Sequence, residues 1–124
     1  MESPAVLPRY KGNDVPLMRT TTIRISQRSY DNLKRLLTAT GAPNDGALCR
    51  LLVDTEYSAM QSGCCHKEDY AHDDERKPFS LGFKLAESDR EKLREMILFY
   101  DAKNMTHLFS FMFRKYSEAV KDGE

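Results

Sequence analysis

At 124 residues the chain has room for one compact domain with a single modest core, and its 19 basic and 19 acidic residues cancel. No apolar run reaches the roughly 18 residues of a membrane span, and the first eight residues lack the basic-then-apolar order of a secretory signal. Cys49, Cys64 and Cys65 are odd in number and without framework spacing, which fits thiols kept reduced in a cytoplasm.

Residues 1–18, with Pro4, Pro8, Gly12 and Pro16 among scattered charges, read as a flexible N-terminal arm. A polar threonine run then leads into Ile23-Arg24-Ile25, and this alternation predicts a half-buried strand over 20–26. Ser26 is a good N-cap for a helix that carries Tyr30, Leu33, Leu36 and Leu37 on one face and stops at Gly41. After the turn Ala42-Pro43-Asn44-Asp45, a second helix presents Ala47, Leu48, Leu51 and Leu52.

The composition becomes polar and acidic over 58–78, the expected linker. A second strand follows over 80–86, with Leu81, Phe83 and Leu85 on one side and Ser80, Gly82 and Lys84 on the other. The next helix carries Leu93, Met96, Ile97 and Tyr100. Its start is open between Ala86 and a capping box of Ser88 with Glu91. A last helix is expected from near Thr106 to Val120 around Leu108, Phe111 and Met112, and 121–124 form a tail.

These elements repeat. Residues 20–57 shifted by 60 fall on 80–117 without a gap, and Leu33/Leu93, Ala42/Ala102, Asn44/Asn104 and Leu48/Leu108 are identical. A unit this small cannot bury its own apolar face, so two copies imply a shared core. The units are mildly basic, with six basic to four acidic residues in 19–57 and seven to five in 79–116. The linker carries three basic to five acidic residues, and 117–124 one to three.

Strand, helix, turn and helix, from Ile23-Arg24-Ile25-Ser26 through Leu33-Lys34-Arg35-Leu36-Leu37 to Gly41, Leu48, Leu51 and Leu52, resemble the ribbon-helix-helix family. Two units in one chain, over 19–57 and 79–120, look like the tandem arrangement of TraY-type accessory proteins of plasmid conjugation. The resemblance implies a mainly α fold with a two-stranded antiparallel β-ribbon, a tandem (β-α-α)2 pseudo-dimer. It also implies binding of double-stranded DNA with the ribbon in the major groove. The role would be that of a transcriptional regulator or an origin-of-transfer accessory factor, in a nucleoprotein complex on a nucleoid or plasmid. A ribbon-helix-helix scaffold for protein contact is the alternative.

The residues fit the DNA reading chemically. Alternation turns Thr20, Thr22 and Arg24, with Ser80, Gly82 and Lys84, away from the helices and towards base edges. Arg24 can pair bidentately with guanine, Lys84 less selectively, and the hydroxyls suit any base. Phosphate anchors are expected at the starts of the second helices, where backbone N–H groups are free. In the second unit these are Lys103, Asn104, Met105 and Thr106. In the first unit the anchor is Asn44, compromised by Pro43 and Asp45. The expected reading heads are thus Thr20/Thr22/Arg24 on the Asn44 anchor and Ser80/Gly82/Lys84 on the Asn104 anchor. Arg9, Lys11 and Arg19 are candidate arm contacts.

Three weaker signals remain. Cys64-Cys65-His66 with His72 matches no standard zinc spacing, so neither metal nor cofactor is expected. Phe109 and Phe113 lie one turn apart, off the face of Leu108, Phe111 and Met112. They either pack beneath the linker or arm, or join two molecules side by side on DNA. No Ser/His/Asp set, phosphate loop or paired carboxylates point to an enzyme.

Overall fold

The structure, a computed structural model, describes residues 7–12, 16–72 and 74–122, the side chain of Asp122 excepted. Residues 1–6 and 13–15 of the arm, Asp73 of the linker and residues 123–124 of the tail lie outside the described residues.

Strand β1 covers Thr21–Ile25 and strand β2 covers Phe79–Phe83. They pair antiparallel as a two-stranded sheet, with Thr22 opposite Gly82, Ile23 opposite Leu81 and Arg24 opposite Ser80. The second strand thus stops three residues before the expected end. The carbonyls beyond it are taken elsewhere: Lys84 O accepts from Arg50 Nη1 at 3.1 Å, and Leu85 O from the Met18 N–H at 2.8 Å.

Helix α1 runs over Gln27–Thr40, and its N-cap Ser26 accepts from the Ser29 N–H at 3.1 Å. It ends as expected at Gly41, whose φ of 73° suits glycine. Helix α2 covers Asp45–Gln61, capped by the Asn44 side chain, and so extends four residues into the expected linker. Helix α3 covers Glu87–Tyr100, the start that the repeat alignment indicates. The Asp89 carboxylate accepts the Ala86 N–H at 2.8 Å, so this end is satisfied without the Ser88–Glu91 box. It closes on Asp101, a left-handed residue at the position that Gly41 holds in the first unit. Helix α4 runs over Met105–Asp122, with Asn104 accepting from the His107 N–H at 3.1 Å. The identical pair Asn44 and Asn104 therefore caps both second helices.

The structural repeat is tighter than the sequence identities. Residues 22–40 and 82–100 share the same succession of buried, half-buried and exposed positions. It also reaches further back, because Tyr10 and Tyr70, 60 residues apart, are both half-buried. The Tyr10 N–H donates to Thr40 O at 3.0 Å, and the Tyr70 ring lies 5.9 Å from that of Tyr100, the counterpart of Thr40. The linker is accordingly docked, with Arg28 paired to Glu75 at 3.3 Å and Tyr70 also against Phe111.

Packing crosses between the units. Helix α1 lies mainly against α4, α2 against α3, α2 against β2 and α4 against β1. Ile23, Ile25, Leu81 and Phe83 point from the ribbon into this core with Leu33, Leu48, Leu93 and Leu108. Phe109 and Phe113 are fully buried, which corrects their expected part in self-association. Helix α4 touches β1 and all three other helices, so it needs an apolar surface wider than one stripe. Phe109 meets the Phe83 ring at 5.3 Å and the Phe113 ring at 6.0 Å.

Sequence periodicity also gave no sign of a polar knot in this core. Glu56, with no exposed surface, accepts from Lys115 Nζ at 2.9 Å, Tyr100 at 3.3 Å, Tyr116 at 3.5 Å and the Cys65 thiol at 3.2 Å. A buried carboxylate is tolerable only when paired and hydrogen-bonded in this way.

Two stability outcomes follow, both measurable by urea unfolding. Phe109→Ala should cost about 3–5 kcal/mol, the usual range for emptying an aromatic core site, and leave any self-association unchanged. Lys115→Met should cost about 3 kcal/mol or more, because it strands the Glu56 charge. A cost near zero for either would contradict the packing described.

Candidate nucleic-acid interface

The ribbon turns one row of side chains inward and the other out. Thr20, Thr22, Arg24, Ser80, Gly82 and Lys84 are all exposed, between buried Ile23, Ile25, Leu81 and Phe83. The six expected reading positions therefore lie on one face, with Thr20 and Lys84 just outside the paired strands. Gly82 leaves the centre bare opposite Thr22, and the Thr20 methyl lies 3.4 Å from where a Cβ at Gly82 would be. Arg24 is oriented by the linker: its Nε donates to Lys77 O at 3.1 Å, so the hydrogen bond to the linker uses the inner nitrogen of the guanidinium.

The start of α2 lies directly on β2. A Cβ at Gly46 would be 3.4 Å from the Phe83 Cβ and 3.4 Å from Arg50 Nη1, so the helix start rests close against the strand. A depression of about 300 Å³ joins Asn44, Asp45, Gly46 and Arg50 to Gly82 and Lys84. Hence the Asn44 anchor sits beside the second strand, and the units exchange partners relative to the sequence grouping. The Arg50 guanidinium stands beside this helix start, donating to Lys84 O, and lines the same depression as Asp45. The sequence reading missed Arg50, although its place four residues after Gly46 puts both on one helix face.

In the second unit, Lys103 and Asn104 are exposed at the start of α4, while Met105 and Thr106 are half-buried in its first turn. Arg19 is exposed one residue before Thr20. Arg9 and Lys11 are exposed further back. The Arg9 guanidinium would lie 2.8 Å from a Cβ at Gly41, at the end of α1, and Lys11 borders α2 with Ala47, Leu51 and Asp54. Arg9 is thus next to the carbonyl end of a helix, where a cation is favoured.

The cysteines occupy different surroundings. Cys64 is exposed, whereas Cys65 is buried against Glu56 and Cys49 is fully buried in α2. Burial pushes the Cys49 thiol well above its usual pKa, the nearby Asp45 charge adding to the rise, and burial also raises that of Cys65. Among the described residues no group of three or more His, Cys, Asp or Glu is placed to hold a metal ion, and no helix is long and apolar enough to cross a membrane.

Compared with models of known protein families, with curated proteins and with solved structures, the chain matches none.

Thiol chemistry offers a direct check on this part of the structure. Ellman's reagent should titrate one fast thiol, Cys64, in the native protein, and all three in urea. Loss of the fast phase in Cys64→Ser would assign it; two or more fast native thiols would refute the buried positions of Cys49 and Cys65.

Proposed function

We propose that the chain is a sequence-reading double-stranded DNA-binding protein with two ribbon-helix-helix units fused in one polypeptide. The observation that carries this reading is the ribbon's outward face, where hydroxyls and two cations stand exposed on a scaffold whose inward face buries Ile23, Ile25, Leu81 and Phe83. A two-stranded ribbon fits a major groove about 12 Å wide.

The register supports the fused pair. Thr22 and Gly82, which the shift of 60 relates, face each other. Applied to the pair Thr21–Phe83, the same shift gives Leu81–Ile23, which is also a pair. A pseudo-twofold axis through Thr22 and Gly82 accounts for both, and for the crossed packing of the helices. Under this symmetry Arg24 and Lys84 lie on opposite sides of the axis, two residues each from the centre. At a strand rise of about 3.3 Å they are separated by about 13 Å along the ribbon, or about four base-pair steps.

Because Arg24 and Lys84 differ, as do Thr22 and Gly82, the preferred site is asymmetric. Arg24, held through Nε, reads guanine with its Nη nitrogens. Lys84, Arg50 and the Asn44 helix start hold one side of the duplex, and Lys103 with Asn104, Met105 and Thr106 hold the other. Arg19, and Arg9 and Lys11 if the arm lifts, follow the backbone. Such a protein serves as a transcriptional regulator or as an accessory factor at an origin of transfer, associated with a nucleoid or plasmid.

The test is selection of bound duplexes from a random pool, followed by mobility shifts at two salt concentrations. Binding should weaken steeply with salt, and Arg24→Ala should lose about 1–3 kcal/mol of discrimination at a single base position. Lys84→Ala should act about four base pairs away and more weakly. Unchanged affinity and specificity in the double variant would rule out reading by the ribbon.

A further inference from the structure

The two units carry clefts at equivalent places, and the clefts differ in chemistry. One, of about 270 Å³, lies between the arm and α2, with Lys11, Gly12, Arg50, Leu51 and Asp54 in its lining. The other, of about 440 Å³, lies between the linker, α1 and α4. The shift of 60 carries those positions onto Ala71, His72, Ser110, Phe111 and Arg114, all of which line this second cleft. In the first cleft the polar groups satisfy one another. Asp54 pairs with Lys92 Nζ at 2.8 Å, and Arg50 donates to Lys84 O at 3.1 Å.

The second cleft has neither arrangement. Arg114 stands in place of Asp54 and Asn32 in place of Lys92, so a guanidinium and an amide line the cavity where the first unit has an ion pair. Ser110 stands in place of Arg50. It is 4% exposed, and its hydroxyl has no hydrogen-bond partner among the described residues. A buried hydroxyl is rarely left so without a reason.

We propose that the second cleft binds a free α-amino acid with an apolar side chain. Arg114, Asn32 and Ser110 all offer donors, and Arg114 spends only Nη2 on a protein acceptor, Asp69 O at 3.5 Å. Donors of this kind suit a carboxylate. A plain anion is opposed by the linker wall, where Asp74 and Glu75 also line the cavity. Glu75 pairs with Arg28 at 3.3 Å, whereas Asp74 forms no ion pair among the described residues. With Arg28 and Arg114 against Asp74 and Glu75 the lining is neutral, so a ligand of one sign gains nothing net from it. An α-amino acid carries both signs on one carbon, its carboxylate for Arg114 and its ammonium for Asp74. Phe111 and Ala71 give the side chain an apolar wall. The volume of about 440 Å³ lies within the roughly 300–1,000 Å³ of small-molecule sites.

Calorimetric titration of the full chain with L-leucine and L-phenylalanine, each up to about 10 mM, reaches the millimolar constants of weak sites. At least one of them should bind, once per chain. The matching acids without the amine (isocaproate, hydrocinnamate) and amines without the acid (isoamylamine, phenethylamine) should bind roughly tenfold more weakly or worse. Arg114→Gln should weaken binding roughly tenfold or more, as expected for a lost charged hydrogen bond. Ser110→Ala should weaken it about threefold or more at an unchanged or raised thermal midpoint, because no bond within the protein is lost. Asn32→Lys with Arg114→Asp installs the pair of the first cleft and should abolish binding in a folded chain. Binding of neither amino acid would overturn the proposal. So would equal binding of inorganic phosphate or of the acids alone, which marks a plain anion site, or binding indifferent to Arg114→Gln and Ser110→Ala. No measurement here contains DNA, so the result stands apart from that of the base-reading test.

Discussion

A strand and two helices in some 40 residues cannot enclose their own apolar faces, and this shortage governs the rest of the molecule. Ile23 and Ile25 are covered only because α4, from the other half of the chain, packs on β1, and Phe83 meets α2 at Gly46 for the same reason. The pairing of β1 with β2 sets the relation between the halves. The two most extensive helix contacts, α1 with α4 and α2 with α3, then cross between them. Phe109 and Phe113 follow from this: a helix gripped on several sides needs apolar residues beyond one stripe. Their burial takes them out of reach of a second molecule.

Elements governed by local chemistry were legible in the sequence. The Ser26 cap, the Gly41 stop and the alternation around Ile23-Arg24-Ile25 are decided within a few residues, and each appears where the pattern places it. The six outward ribbon positions were legible for the same reason, since period-two alternation settles their side of the sheet. What depends on the partner half was not legible. The early end of β2 is set by Arg50 and Met18, which take the next carbonyls from distant positions in the chain. The start of α3 was ambiguous because two acidic residues, Asp89 and Glu91, both stand where a cap can form. Only the fold shows Asp89 buried at the Ala86 N–H.

The polar knot around Glu56 belongs to the same class. Its donors come from α3, α4 and the linker, 9 to 60 residues away, so no window of sequence contains them. Its consequence is mechanical. Cys65 ties the beginning of the linker to this carboxylate, and Arg24 and Arg28 hold its end through Lys77 and Glu75. Between these ties Tyr70, 60 residues after Tyr10, rests its ring against Tyr100, the counterpart of the Thr40 whose carbonyl takes the Tyr10 N–H.

That equivalence bears on the proposed asymmetry of reading. Were the two units interchangeable, the proposed pseudo-twofold axis would favour a palindromic site. Three departures lie close to that axis or to the anchors: Gly82 for Thr22, Lys84 for Arg24, and an acidic Asp45 where the second unit has Met105. The crossing of α2 onto β2 places Asp45 and Arg50 in the same depression as Gly82 and Lys84. The other side keeps Arg24, whose Nε donates to the linker carbonyl of Lys77. The two departures at reading positions are thus matched by a third at the anchor beside them. A duplex bound in one orientation would meet bidentate reading at one end and mainly charge at the other.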